Sequence, residues 1–485
     1  MRPIVFAFLA GLVLLGAGVA EPTAATRLPP LSQHFVSRPD LRPPVVDVRT
    51  HRRGTSGGYV FIAPKLRVAQ AGPMILDDSG QVVWFKPLDT RGVTDFGVQR
   101  YHGQPVLTWW RGRHVPQARN GYYVIYDSTY HELAQVHAGD GLVGDIHEFR
   151  ITPRDTALIT VYHRRRADLS SAGGPKNGLI YDGIVQEIDI ATGRVLFEWH
   201  SFPQVGLKES YAKAPVARPG KRLPPFDYFH VNSIDPEPNG NLLVSSRNTH
   251  TVYEIDRSSG KILWRLGGKR SDFTFGPGAR FEWQHDARRQ PDGKITLFDN
   301  GAAPAVERFS RVLVLRVDEA ARKVTLVRSY HHPRRLLFPY EGNAQFLPNG
   351  HVFVGWGSNP DFTEFDRQGH VALDASFGRQ GGRPGTEADS YRAYRFDWVG
   401  HPSDAPRVAI RPGKLYVSWN GATAVERWDV LAGADPQHLR RVATRAKTGF
   451  ETAIPLRGAR GYVEVQAVGR DGGVLATSAT LRASA

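Results

Sequence analysis

The chain has 485 residues, of which 41% are hydrophobic and 22% charged, with a formal net charge of +15 and no cysteine. The apolar content is ample for a large core, so disorder is not the default; the lack of cysteine excludes a disulfide framework, a thiolate metal site, an iron–sulfur cluster and a cysteine nucleophile. The positive charge, mostly arginine, favours anionic partners, but the arginines are dispersed without a nucleic-acid motif, and no nucleic acid is expected as a partner.

Residues 1–20 read as a secretory signal: Arg2 gives a positive start, residues 4–15 are apolar, and Gly18-Val19-Ala20 is a small-residue cleavage site. The apolar run is short for a spanning helix. The expected location is secreted, periplasmic or extracellular, with a membrane tie only if this segment stays uncleaved. Residues 21–44 are Pro-rich and read as a linker.

From residue 45 onward, abundant Gly and Pro and little 3.6-residue periodicity predict an all-β chain. A loose repeat runs through it: an Asn-Gly or Asp-Gly turn, an apolar strand, a strand ending in Asp, a Gly turn and a strand containing Trp. Pro238-Asn239-Gly240 leads through Leu242-Leu243-Val244 and Glu254-Ile255-Asp256 to Ser259-Gly260 and Trp264. Related copies start near Tyr59, Val98, Ile151, Pro291 and Pro348. Six copies of three or four short strands predict a six-bladed β-propeller over residues 45–400. Either the Val45/Val48 region or the strand around Tyr391 to Trp398 is expected to close the ring, because closure removes exposed sheet edges. After Pro402 and Pro406 the pattern changes. Clean alternation around Trp419 and Tyr462 predicts a small immunoglobulin-like β-sandwich over residues 401–485, resembling a fibronectin type III domain.

Three histidines occupy one place in the repeat. His147, His230 and His285 each stand six residues before a proline, namely Pro153, Pro236 and Pro291. If the copies are arranged radially, these residues precede the inner strands and converge on one mouth of the central channel. Convergent imidazoles can serve as base, acid or nucleophile. The next copy has Gly342-Asn343-Ala344-Gln345 at the matching place. Arg247 follows the strand Leu242-Leu243-Val244, read as the inner one; its counterparts are Tyr162-His163 and Asp299-Asn300, and its forked guanidinium suits a tetrahedral oxyanion. Three histidines could also ligate zinc, but they lie 83 and 55 positions apart and lack the close pairs that usually announce it. His331-His332, in a Pro/Arg-rich stretch, reads as solvent-facing. His163 with Arg164, Arg165 and Arg166 reads as a basic loop over the mouth. Trp109, Trp110 and Trp356 read as blade core or as the floor of an aromatic pocket.

The segments Asp145-Ile146-His147-Glu148-Phe149, Phe229-His230-Val231-Asn232-Ser233-Ile234 and Trp283-Gln284-His285-Asp286-Ala287 resemble those of the arylsulfotransferase (ASST-like) propeller family. So do Gly72-Pro73-Met74-Ile75-Leu76-Asp77-Asp78, Trp264-Arg265-Leu266-Gly267-Gly268 and Ser390-Tyr391-Arg392-Ala393-Tyr394-Arg395, and the resemblance spans residues 37–400. It implies ping-pong transfer of a sulfuryl group from a phenolic sulfate donor to a phenolic acceptor, without a nucleotide donor, cofactor or metal. Carried over by motif, His285 would be the nucleophile. His147 and His230 would be the proton-transfer and sulfate-holding histidines, and Arg247 would bind sulfuryl oxygens. The chain departs from the bacterial enzymes of that family: it lacks their N-terminal sandwich and the cysteine pair they can carry, and has a C-terminal sandwich. Two other readings stand beside this one: a secreted non-catalytic propeller that binds glycans or surface polymers, and a quinone-dependent dehydrogenase. Six copies and zero cysteines argue against the latter.

Overall fold

A computed structural model describes residues 31–90, 92–113, 121–216, 220, 222–378, 388–456 and 461–483; the expected signal segment lies outside the described residues. The described chain is all-β apart from two short 3-10 turns.

Among the described residues, six sheets stand around an axis, antiparallel except where the short strand Thr274–Phe275 adds in parallel to the outer edge of one of them. Their innermost strands are Ala393–Phe396, Gly92–Tyr101, Gly144–Ile151, Val231–Pro236, His285–Arg289 and Asn343–Phe346. Each touches the next, and the last touches the first, so the six form a closed ring. This is a β-propeller. We number the blades in that order, so His147, His230 and His285 belong to the third, fourth and fifth.

Burial follows from the stacking. In the fourth blade, Leu242–Ser246 and Thr251–Ile255 are buried at every position, because neighbouring blades cover both faces. The outermost strand, Ile262–Gly267, alternates between buried and partly exposed positions. The turn from first to second strand carries Gly240, Gly293 and Gly350 in three successive blades, at φ of +88°, +80° and +82°, a region open to Gly without steric cost.

The ring is clasped twice. Ala393–Phe396 supplies the inner strand of the first blade by pairing with Tyr59–Ile62. Asp47–His51 adds a fifth, outermost strand to the sixth blade by pairing with Val371–Ser376. Thus both segments considered for closure take part. Arg49 bolts the outer clasp, 3.2 Å from Asp361 and 2.8 Å from Asp374.

Several sequence expectations are corrected. Each His-to-Pro segment is itself the inner strand, and Leu242–Ser246 is the second strand of its blade. His332 is buried, not solvent-facing: its Nε2 lies 3.0 Å from Asp361 Oδ2, and its ring packs on Phe338 and Trp356; His331 is half-buried. His163 to Arg166 lie in the long strand Thr156–Ala167, paired throughout with Gly178–Asp189, and form no loop. Trp109 and Trp356 are blade core. The later part of the linker is docked: Leu41 is in the hydrophobic core, and Ser37 N donates to Glu451 Oε2 at 2.6 Å.

Residues after 406 form two facing sheets. One contains Arg407–Arg411, Lys414–Ser418 and Glu451–Pro455; the other contains Arg440–Ala446, Val425–Gly433, Gly461–Gly469, Val474–Thr477 and Leu481–Ala483. Trp428, Val417, Val430 and Val465 pack between them. This sandwich docks on the first and second blades: Asn420 exchanges two 3.0 Å hydrogen bonds with the Phe85 backbone, and Tyr130 Oη donates to Gly421 O at 2.8 Å.

A buried ionic layer plugs the channel. Arg392 Nη1 lies 2.8 Å from Asp95 and 3.0 Å from Glu148, while Arg288 reaches Glu148 at 2.6 Å and Asp286 at 2.8 Å. The two guanidiniums have several carboxylate partners each, which offsets the large cost of removing charge from water. The plug forms the boundary between an upper cavity and a polar funnel of about 420 Å³ at the opposite mouth.

Candidate functional site

The upper cavity has a volume of about 900 Å³, and His147, His230, His285 and Arg247 all line it. Their backbones explain the convergence. His285 opens the inner strand of the fifth blade, His230 immediately precedes that of the fourth, and His147 lies within that of the third. Arg247 follows the second strand of the fourth blade, and its N–H donates to His230 O at 2.9 Å. The His147 and His230 rings lie 5.0 Å apart, edge to face.

The protonation of His285 follows from its neighbours. Asn300 Nδ2 donates to the carbonyls of Phe338 and Glu341, both at 3.0 Å, which fixes the amide with Oδ1 turned the other way. Oδ1 lies 2.7 Å from His285 Nδ1 and can only accept, so Nδ1 carries the proton. Nε2 then keeps its lone pair, to which the Glu341 N–H donates weakly at 3.3 Å. Burial, and then the charge of Arg247, hold the imidazole well below the usual histidine range. His285 is therefore a neutral imidazole with a defined, unprotonated Nε2, the form a nucleophile needs.

The other two histidines are each tied to a carboxylate through Nδ1. Asp145 holds His147, and Asp227 Oδ2 holds His230 at 2.5 Å. Burial raises the Asp145 carboxyl, but His147 and its hydrogen bond outweigh that and bring it below the usual range. His230 is pulled down by burial, against the opposing effect of Asp227. Such pairs fix the ring orientation and can share positive charge when an anion arrives.

Arg247 is held by Nη1 on Asn248 Oδ1 at 2.9 Å, by Nη2 on Pro339 O at 3.1 Å, and by the Trp283 ring 4.7 Å away. Behind Trp283 lies His250, stacked on Tyr211 at 3.9 Å. Burial, then Arg247 and Lys269, push His250 down to about 3, so it stays neutral and does not repel the guanidinium.

Sequence reasoning missed several residues of this wall. Lys65 is buried, with Nζ 2.9 Å from both Glu341 and Asp389. Tyr162 and Tyr391 flank His147, with ring centroids at 5.4 and 5.6 Å. Tyr162 and Asn300 occupy the blade position that drew attention to Arg247. Lys65, Asp389 and Tyr391 come from the closing segments of the ring, and no sequence spacing ties them to the histidines. Trp110 does line the cavity, but its Nε1 is spent on Gly144 O at 3.0 Å. Arg113, His163 and Arg164 also line the cavity and contribute a basic element to it.

The only carboxylate cluster of metal-ligand geometry among the described residues, Glu282 with Asp299 and Glu307, does not include the cavity histidines.

The chain matches the family model described as "Arylsulfotransferase (ASST)" over residues 97–378. No curated protein matches it. Among solved structures, it is similar to a protein of unknown function from Bacteroides caccae, with 15% identity over 66% of this chain and 93% of that one and a TM-score of 0.39. The WD40 domain of coronin from Toxoplasma gondii is 9% identical over 89% of this chain and 90% of that one, with a TM-score of 0.34. Virginiamycin B lyase from Staphylococcus aureus is 8% identical over 77% of this chain and 94% of that one, with a TM-score of 0.33.

Proposed function

The chain belongs to the arylsulfotransferase family, and from that premise we propose that it moves a sulfuryl group from a phenolic sulfate ester to a phenolic acceptor through a sulfated His285. The observation that carries this reading is the state of His285: neutral, buried, with Nε2 unprotonated beside two carboxylate-held imidazoles and an arginine.

Nε2 attacks sulfur, the N–S bond forms as the ester S–O bond breaks, and the phenolate leaves with the S–O electron pair and takes up a proton. An acceptor phenol then gives up its proton as its oxygen attacks the same sulfur, and the N–S pair returns to Nε2. Splitting the transfer lets donor and acceptor use one site in turn. Sulfuryl transfer resembles phosphoryl transfer in depending on in-line positioning and on charge stabilisation. Arg247, His147 and His230 surround the sulfuryl oxygens. The Asp145 and Asp227 carboxylates behind the two rings let them present N–H donors to the anion.

Steady-state rates at varied donor and acceptor test the scheme. Parallel double-reciprocal lines with phenyl sulfate and a second phenol are expected, and His285→Ala should abolish turnover. Intersecting lines, or a His285→Ala variant that still turns over, would refute it.

For the rest of the chain we propose a secreted, periplasmic or extracellular location, from the character of residues 1–20, with the propeller over residues 45–400. We read residues 401–485 as a fibronectin type III-like spacer or surface-contacting module, on the three-strand and five-strand order of its facing sheets.

A further inference from the structure

Glu341 stands out among the cavity-lining groups not yet given a role. It is 6% exposed, and its Oε1 is engaged by Lys65 Nζ at 2.9 Å. Its Oε2 is buried and has no hydrogen-bond partner. A buried carboxyl oxygen left without a partner is costly, which points to a group brought by a ligand. Its own N–H lies 3.3 Å from Nε2 of His285, so the residue adjoins the atom that takes up sulfur. Its backbone sits at φ +66°, held by the hydrogen bond from Lys65 to its side chain and by Asn300 on its carbonyl.

The transfer reading leaves one task open. Imidazoles that donate Nε2–H to sulfuryl oxygens have no lone pair left to take a proton from a phenol. We propose that Glu341 is the acid–base residue that exchanges the proton with the phenolic oxygen in both half-reactions. In the first, Glu341 gives its proton to the leaving oxygen as the S–O bond breaks and the N–S bond forms. It is left as a carboxylate. In the second, the acceptor O–H passes its proton to that carboxylate while its oxygen bonds to sulfur and the N–S pair returns to Nε2. Protons and electrons balance over the cycle, and Glu341 ends protonated as it began. The assignment rests on the sulfuryl-transfer reading of the site, and takes the proton-transfer part from the histidine pair.

The surroundings favour such exchange. Lys65 and Asp389 form a triad with Glu341, His285 adjoins it, and His147, Tyr340 and Tyr391 are within electrostatic reach. One lysine cannot fully neutralise two carboxylates. Burial is the largest effect and Asp389 adds to it; together they outweigh Lys65 and push Glu341 up to about 7. A group that titrates near the working pH is the most effective proton carrier.

The test uses the full-length chain and Glu341→Gln, which keeps the shape and removes the exchangeable carboxyl; Glu341→Ala is a second variant. Sulfation of the enzyme is followed by mass with two donors: 4-nitrophenyl sulfate, whose leaving group needs little protonation, and phenyl sulfate, whose leaving group needs it. The expected loss for Glu341→Gln is roughly 10²- to 10⁴-fold with phenyl sulfate, and about 10-fold or less with 4-nitrophenyl sulfate. The neutral-pH inflection of the phenyl sulfate profile should vanish in both variants. Equal losses with both donors, or a retained inflection, would overturn the assignment to Glu341. A wild type that gains no sulfuryl group from either donor would instead overturn the transfer reading beneath it.

Discussion

Asn300→Ala should disable His285 without touching the substrate. In the wild type the Nδ1–H of His285 meets Asn300 Oδ1 at 2.7 Å, and that contact keeps Nε2 unprotonated. Removing it forfeits a hydrogen bond with a net contribution of about 1 kcal/mol and leaves a buried N–H unsatisfied, at about 1 to 3 kcal/mol more. The Nδ1–H tautomer therefore loses about 2 to 4 kcal/mol relative to the alternative. That corresponds to roughly 30- to 1000-fold fewer competent imidazoles, and to the same loss in the rate of enzyme sulfation. Losing the correct histidine tautomer in a serine-protease triad costs about 10⁴-fold, so the size is reasonable. The same substitution strips the Glu341 carbonyl of its donor and leaves that of Phe338 only the long 3.4 Å contact from Ser310 Oγ, so the melting temperature should fall as well. Single-turnover sulfation from 4-nitrophenyl sulfate gives the rate, and ¹⁵N NMR of the histidine rings gives the tautomer. A folded Asn300→Ala protein that sulfates within threefold of wild type, or a wild-type His285 protonated on Nε2, would refute the reasoning.

Arg247→Ala should slow sulfation by a factor on the order of 100, about 3 kcal/mol of barrier, since a charged donor to the developing anion is lost; Trp283→Leu, which removes only the ring under Arg247, should cost less, and stopped-flow kinetics would rank them. Arg49→Ala should destabilise the ring by about 1 to 3 kcal/mol, because it removes a charged partner of Asp361 and Asp374 in the outer clasp while Asp361 keeps Arg334 and His332, as urea denaturation would measure. His250→Gln should flatten the acid side of the stability profile. Burial lowers His250 to about 3, so below the ordinary histidine value near 6.5 the unfolded chain binds a proton that the fold refuses, and stability falls as pH falls. Between pH 6.5 and 5 this single group removes about 2 kcal/mol, which the variant should retain in paired melts.

Much of the architecture is legible in the chain because blade chemistry is local. The Asn239-Gly240 and Asn349-Gly350 turns mark the same inner hairpin twice, and the spacing from histidine to proline marks the inner strand. That strand is nonetheless easy to misplace. It borders the channel and so carries Asn232, Ser233 and Asp235 in one blade, and Asp286, Arg288 and Arg289 in the next. The second strand, Leu242–Ser246, begins with the apolar run that sequence reasoning favours for a buried element. His332 misleads for a related reason. Its surroundings in sequence are polar and Pro-rich, while the partner that admits it to the interior, Asp361, lies in another strand of the next blade. The Lys65–Glu341–Asp389 triad draws on segments that meet only when the ring closes. Nothing local in the sequence announces it.

The central claim is a covalent sulfuryl group on His285, and the most direct measurement is the mass of the protein after incubation with an aryl sulfate, followed by peptide mapping. The account predicts that the wild type gains one sulfuryl group, located on the peptide bearing His285, that a phenolic acceptor discharges it, and that His285→Ala gains none. A protein that turns over aryl sulfate with no adduct at any time, or one whose adduct maps to another residue, would contradict it.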